Sequence, residues 1–255
     1  MRIGICASAE DAVLLKDLAD YAELNLTKLA NMSEEEFEST KKLLRENGVS
    51  AEVANTFFPG DMKLCGSEVN IDAIKKYTEK ALERATELGI YTCVLGSGGA
   101  RRIPDNMDFE QGMKQLDEVL GIIGECASKY GVTVAIEPLN KGETNCINSV
   151  SEGAAMIKRI NHPNIKLLAD IYHMGVENES MDAIAENKDS LCHVHIATPN
   201  GRAFPLKEEE YDYGAVKKAL KDANYDLRIS IEVRPTVDFV ETAKKSITFL
   251  KKIFV

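Results

Sequence analysis

Eight short apolar, β-branched runs alternate with longer charged segments of helical spacing, dividing 255 residues into units of about 32. That repeat predicts a single (β/α)8 TIM barrel over residues 1–255. Two further observations agree. No linker, low-complexity tract or composition break marks a second domain. The longest irregular stretches, 57–70, 96–106 and 198–211, all follow strand-like runs, at the ends where a barrel carries its active site. The competing α/β architecture, a doubly wound open sheet, would usually carry a glycine-rich phosphate turn after its first strand. Here that turn reads Ser8-Ala9-Glu10-Asp11, and the later Gly96-Ser97-Gly98-Gly99 lacks dinucleotide or P-loop spacing.

The expected strands are, in order, 2–7 (RIGICA), 21–26 (YAELNL), 51–57 (AEVANTF), 91–95 (YTCVL), 133–137 (TVAIE), 165–170 (IKLLAD), 191–197 (LCHVHIA) and 227–233 (LRISIEV). Between them, the apolar residues Ile71, Ile74, Ala81, Leu82, Ala85 and Leu88 recur three or four apart and predict a helix over 71–88. Leu116, Val119, Leu120, Ile123 and Ala127 do the same for 113–130. Gly48, Gly89 and Gly131 each stand where a C-capping glycine ends a helix ahead of the next strand. Ser33 with Glu36 forms a capping-box start, and Asp212 is an N-cap candidate for a helix beginning near Gly214.

Composition excludes several function classes. With 31 basic and 41 acidic residues the chain carries a net charge of −10, without a block of like charge. A nucleic-acid or anionic-membrane partner requires clustered Lys and Arg. The six cysteines are spread evenly with no CxxC pair, which reads as reduced, mostly buried thiols, neither a disulfide scaffold nor a zinc site. The N-terminal Met1-Arg2-Ile3-Gly4 runs straight into strand-like sequence without a signal-peptide pattern, and no apolar run is long enough to span a membrane. A cytoplasmic protein is expected.

Candidate chemistry lies at the ends of strands five to eight. A parallel strand buried on both faces should end in apolar residues. Four in succession end instead in Glu137, Asp170, His193/His195 and Glu232. Neighbouring barrel strands bring these groups to one mouth, where three carboxylates repel unless a cation lies between them. Two Glu, one Asp and one His form a hard donor set with one imidazole, better suited to Mn²⁺, Mg²⁺ or Co²⁺ than to structural zinc. Strand alternation points His193 and His195 to the same side, with His195 nearer the rim. His195 is therefore the expected ligand and His193 a hydrogen-bonded core residue. His173 follows Asp170 by three, over the same mouth, whereas His162 precedes its strand and belongs to the opposite face.

The string Glu137-Pro138-Leu139-Asn140, the pair Asp170 and His173, the pair His193 and His195, and the strand-ending Glu232 resemble the xylose-isomerase-like sugar isomerases and epimerases. The likeness is to the ketose 3-epimerase and hydroxypyruvate-isomerase branch, and it covers the whole chain in element order. The resemblance implies that Glu137, Asp170, His195 and Glu232 bind a divalent metal, usually Mn²⁺, with Co²⁺, Mg²⁺ or Zn²⁺ as alternatives. It further implies that Glu137 and Glu232 act as the acid/base pair, that Glu143 and His173 contact substrate, and that Arg202 holds substrate oxygens. Barrels of this branch are often dimers or tetramers, so a homo-oligomer is part of what the resemblance implies.

The chemistry explains these residue types. Taking a proton from a carbon beside a carbonyl leaves an enediolate, whose charge a metal and a cationic Arg stabilise as it forms. Two glutamates across a mouth can then remove a proton from one face and return one to the other (epimerisation), or return it to the neighbouring carbon (aldose–ketose isomerisation). The expected activity is that of a metal-dependent isomerase or epimerase acting on a small sugar or sugar derivative. A lyase or dehydratase on a keto-sugar or keto-glycoside is the alternative, because it begins with the same enolisation. An abasic-site endonuclease of the same fold fits poorly with four histidines and a net −10, and a non-catalytic sugar binder is the remaining reading.

One departure concerns the substrate. The chain has no Trp, whereas many ketose 3-epimerases use an indole as a floor for the sugar. Phe57, Phe58 or Phe204 would have to serve, and Phe58 in Phe58-Pro59-Gly60 is the candidate on the active face. Arg101 and Arg102, with Arg234 and Arg202, place positive charge near the mouth of an acidic protein. Jointly they imply a substrate bearing an acid group or phosphate. Surface solvation is the alternative account of each.

Overall fold

The computed structural model describes residues 1–234 and 236–255. Eight parallel strands, β1 (Arg2–Cys6), β2 (Tyr21–Asn25), β3 (Ala51–Asn55), β4 (Thr92–Leu95), β5 (Thr133–Ile136), β6 (Ile165–Asp170), β7 (Leu191–Ile196) and β8 (Arg228–Ile231), close in sequence order, with β8 pairing back to β1. The chain is a (β/α)8 barrel. Every expected strand is present, shortened by at most two residues at an end. The trimmed ends have a reason: Glu137 and Glu232 stand just beyond β5 and β8, each still donating one backbone hydrogen bond, to Leu95 and Ile196 respectively (3.2 Å each), while the chain turns outward over the mouth.

The eleven α-helices among the described residues are α1 (Ala9–Leu15), α2 (Leu26–Asn31), α3 (Glu34–Asn47), α4 (Ile71–Glu87), α5 (Gly98–Arg101), α6 (Phe109–Tyr130), α7 (Val150–Ile160), α8 (Ile171–Val176), α9 (Asp182–Glu186), α10 (Tyr213–Asp222) and α11 (Phe239–Phe254). The long ones bury one stripe against the barrel. On α4 that stripe is Ile74, Ala81, Leu82 and Ala85. Caps form as the residues dictate. Ser33 and Glu36 make a reciprocal capping box, and Gly48 and Gly131 end α3 and α6 in the left-handed conformation at φ +66° and +64°. Asp212 caps α10, which starts at Tyr213, its side chain accepting from the Ala215 N–H. Helix α6 starts four residues earlier than the apolar spacing indicated. Asp108 caps it by accepting from the Gln111 N–H at 3.0 Å, and its first turn is Phe109-Glu110-Gln111-Gly112, too polar to show a 3.6-residue period. Short helices α2, α5 and α8 sit at the barrel mouth after β2, β4 and β6, and at four to six residues are too short to show a helical period.

Two apolar clusters fill the molecule. The larger lies between sheet and helices. The smaller, Tyr21, Val53, Val94, Ala135 and Leu168, is the floor of the barrel interior. Strand period two then carries each inward row one step up from this floor: Tyr21 to Glu23, Val53 to Asn55, Val94 to Gly96, Ala135 to Glu137, Leu168 to Asp170, and His193 to His195. Below the mouth the interior is therefore mostly apolar, apart from the Tyr21 hydroxyl, Ser230 and His193, and at the mouth it is polar. Gly4 admits the Tyr21 ring, which occupies the space a Cβ there would need.

Leu82 is fully buried on α4, so Leu82→Ala is expected to lower unfolding free energy by about 2–5 kcal/mol, read from denaturant midpoints with the m-value unchanged. The six thiols are free, four of them buried and Cys6 and Cys192 partly exposed. No helix among the described residues is long and apolar enough to cross a membrane.

Candidate metal centre and active site

One donor atom each from Glu137, Asp170, His195 and Glu232 lies within 4.8 Å of the others. The four come from the ends of β5, β6, β7 and β8. His195 Nδ1 faces Glu137 Oε1 at 3.2 Å and Glu232 Oε2 at 3.0 Å. Each carboxylate is held from outside the set. Asp170 caps α8, its Oδ1 accepting from the Tyr172 N–H at 2.8 Å. The Asn55 amide donates to Glu232 Oε1 at 3.1 Å. Glu137 packs against Gly96, where a Cβ would collide with its Oε2.

Positive charge reaches the cluster from Arg202. Its guanidinium donates to Asp170 Oδ2 at 3.0 Å and to Glu232 Oε2, lies 3.9 Å from Glu137 and from Glu143, and stacks 4.8 Å over the Tyr172 ring. Arg202 adopts a left-handed backbone at φ +52°, directly after Gly201 at φ +78°. The tight turn between Thr198 and Ala203 places it there, at a backbone strain of roughly 1–3 kcal/mol. Thr56, Ser97 and Ile147 share this backbone conformation on loops after β3, β4 and β5, while the remaining non-glycine instances among the described residues are Asn161, Asn178 and Asn224, a type that tolerates it. Strain thus gathers over the mouth.

The two glutamates have opposite proton affinities. Burial, and then the facing charge of Glu232, push Glu137 up to about 7. Burial acts on Glu232 too, but His195 and Arg202 outweigh it and hold that carboxyl at about 2. Pairs separated in this way suit acid and base roles.

His173 is buried beside the cluster. Its Nδ1 accepts from the Asn140 backbone N–H at 3.0 Å and faces the Asn140 amide at 2.9 Å. The ring hydrogen therefore sits on Nε2, which has no hydrogen-bond partner and lies 3.5 Å from Asp170. Burial keeps the ring neutral by lowering its pKa. Glu143, the most exposed of these groups, accepts from the Asn140 amide at 3.1 Å. His162 lies away from the mouth beside α6, its ring occupying the space above Gly124.

Three other candidates are placed differently. Phe58 is 1% exposed, packed on Phe57 and Tyr77. Arg101 is also 1% exposed, with one nitrogen donating to the Leu95 carbonyl at 3.3 Å. As placed, neither presents a surface to a ligand in the mouth. Arg102 lines a separate groove with Lys63, Gln111 and Gln115, and Arg234 is exposed, so these arginines do not converge on one anion site. Phe57 and Phe204 are buried as well.

Beside the cluster opens a cavity of about 530 Å³, lined by Cys6, Glu10, Glu23, Asn55, Val233 and Phe239 among others. Phe239, at the start of α11, is its aromatic wall. Sequence reasoning missed Glu23, Asn55, Gly96 and Phe239. Alternation would have found the first two, because both occupy inward positions directly above Tyr21 and Val53.

Comparison with known proteins follows the same geometry. The family model described as xylose isomerase-like TIM barrel matches residues 14–253. The chain belongs to that family. D-psicose 3-epimerase of Agrobacterium fabrum is 28% identical over 225 residues, covering 84% of this chain and 74% of the relative. 3-Dehydro-D-guloside 4-epimerase of Escherichia coli is 26% identical and covers 77% of each. Among solved structures, D-allulose 3-epimerase from Methylomonas in complex with D-allulose superimposes with a TM-score of 0.87 at 21% identity, covering 100% of this chain and 97% of that one; this likeness concerns the fold. The closed eight-stranded architecture is that of a family member.

Proposed function

We propose that this protein, an isomerase-class enzyme by its relatives, is a divalent-metal-dependent epimerase or isomerase of a ketose or keto-sugar. The observation that carries the reading is the convergence of Glu137, Asp170, His195 and Glu232 within 4.8 Å. Three carboxylates and one imidazole are an oxygen-rich set that fits Mn²⁺, with Co²⁺, Mg²⁺ and Zn²⁺ as alternatives. The fit is also electrostatic, since these carboxylates draw in the nearest cation, Arg202, in the structure itself.

Such a cation supplies positive charge next to the substrate oxygens where negative charge develops during enolisation. The protein supplies the rest. Glu137 and Glu232, approaching from β5 and β8, stand on different sides of the space between them, so one takes the proton from a carbon beside the carbonyl while the other delivers a proton from the opposite face. His173 Nε2–H donates to a substrate hydroxyl or carbonyl, and Glu143 accepts from one. Arg202 moves its hydrogen bonds from the carboxylates to substrate oxygens. The remainder of the substrate extends into the cavity walled by Cys6 and Phe239, a space large enough for a small organic ligand.

Two treatments test the reading. Purified protein is expected to lose turnover on chelation and to regain it on adding Mn²⁺ or Co²⁺. A panel of ketoses, sugar acids and sugar phosphates in deuterated water should yield an epimer or isomer with deuterium at a carbon next to the carbonyl. Full activity in chelator, or a product formed without deuterium exchange, would overturn the proposal. Release of an unsaturated sugar or an aglycone would move it to the lyases.

A further inference from the structure

Behind His195 lies a carboxylate that the reaction as described does not use. Glu23, in the middle of β2, is fully buried, as are His193 and His195. Its Oε1 accepts from His195 Nε2 at 2.8 Å and its Oε2 from His193 Nε2 at 2.9 Å. The row continues downward: Ser230 Oγ lies 3.2 Å from His193 Nε2, and the Tyr21 hydroxyl 2.8 Å from Ser230 Oγ. The chain Tyr21–Ser230–His193–Glu23–His195 thus runs from the floor of the barrel to the mouth, drawn from β2, β7 and β8.

We propose that Glu23 is a positioning residue for the cation: by taking the Nε2 hydrogen of His195 it leaves Nδ1 as the nitrogen offered to the cluster, and His193 locks Glu23 in turn. The inference rests on reading the cluster as a cation site. An ionised carboxylate only accepts, so both facing Nε2 atoms carry hydrogens. On His195, Nδ1 is then the nitrogen directed at Glu137 and Glu232, and the one from which a cation in the cluster would displace any hydrogen. His193 Nδ1 has no partner, so Nε2 is the atom through which His193 acts. A carboxylate bonded to the far side of a ligating imidazole fixes its tautomer and orientation and strengthens it as a ligand. Cys6 presents a thiol to the same pair, and the rival arrangement is a cation held by Cys6, Glu23 and His195 Nε2. Both oxygens of Glu23 are already committed to hydrogen bonds, which favours the positioning role.

The test compares Mn²⁺ affinity of wild type, Glu23→Gln and Glu23→Ala, with melting temperature recorded for each protein without metal. Glu23→Gln keeps the shape and removes the charge, and is expected to weaken Mn²⁺ binding about 10- to 100-fold. His193→Gln should weaken it less. Equal affinity within twofold for wild type and Glu23→Gln overturns the inference but leaves the cluster intact. A wild type that binds no divalent cation overturns the cluster and the inference together. Should the variants fail to fold, nitrogen NMR of the wild type loaded with Mg²⁺ or Cd²⁺ decides. Protonated Nε2 with metal-shifted Nδ1 on His195 supports the role of Glu23; metal at Nε2 overturns it.

Discussion

Glu137→Gln is expected to lower kcat by about two to four orders of magnitude and to slow the formation of deuterium-labelled epimer or isomer to the same extent. The amide preserves the shape that fills the space against Gly96 and can still face His195 Nδ1, but it cannot take up a proton. Glu232→Gln should have an effect of the same order, because Arg202, His195 and Asn55 fix that carboxylate equally firmly. Acting as a pair, the two substitutions together should cost little more than either alone. Both glutamates also belong to the candidate metal set, so metal content must be measured in parallel, with kcat determined at saturating Mn²⁺. Turnover within tenfold of wild type in both variants would show that the carboxylates only scaffold the site, and the acid/base assignment would fall.

Gly96→Ala, one residue beyond β4, is expected to lower kcat about 100-fold while the barrel still folds. No backbone conformation demands glycine there; the demand is steric. A Cβ would sit on Glu137 Oε2 and within van der Waals reach of Leu139. The carboxylate must swing away, and a displacement near 1 Å at a reacting group costs on the order of 100-fold. The added methyl also overpacks a buried spot, at about 1–3 kcal/mol, visible as a lower denaturant midpoint. A variant with wild-type kcat and a Glu137 that has simply rotated would show that the catalytic geometry tolerates more freedom than the packing implies.

Both predictions turn on residues of unequal legibility. Glu137, Asp170, His195 and Glu232 could be read from the chain because each breaks the apolar pattern of a buried strand at or next to its C-terminal end. Glu23 breaks the same pattern in Tyr21-Ala22-Glu23-Leu24-Asn25, but inside the strand, where the rule that strand ends face the mouth gave no reason to look. Asn55 was open to the same alternation, two residues above Val53, but carries no charge to draw attention, and Gly96 leaves no trace in composition or spacing. Phe58 and Arg101 had the right chemistry at the right loops, yet the loops fold them inward, against Phe57 and Tyr77 in one case and toward the Leu95 carbonyl in the other.

Alternating apolar and helical periods therefore determined the barrel, its strand order and the four inward groups at its rim, since these follow from local pattern and from closure of a parallel sheet. Closure decided what no local pattern encodes: that Glu23 from β2 reaches across the interior to His195 on β7, that Arg202 turns back onto three carboxylates, and that Phe239, far along the chain, walls the cavity. Contacts between segments about 170 residues apart depend on the shear and radius of the closed sheet, and those quantities exist only once all eight strands have met.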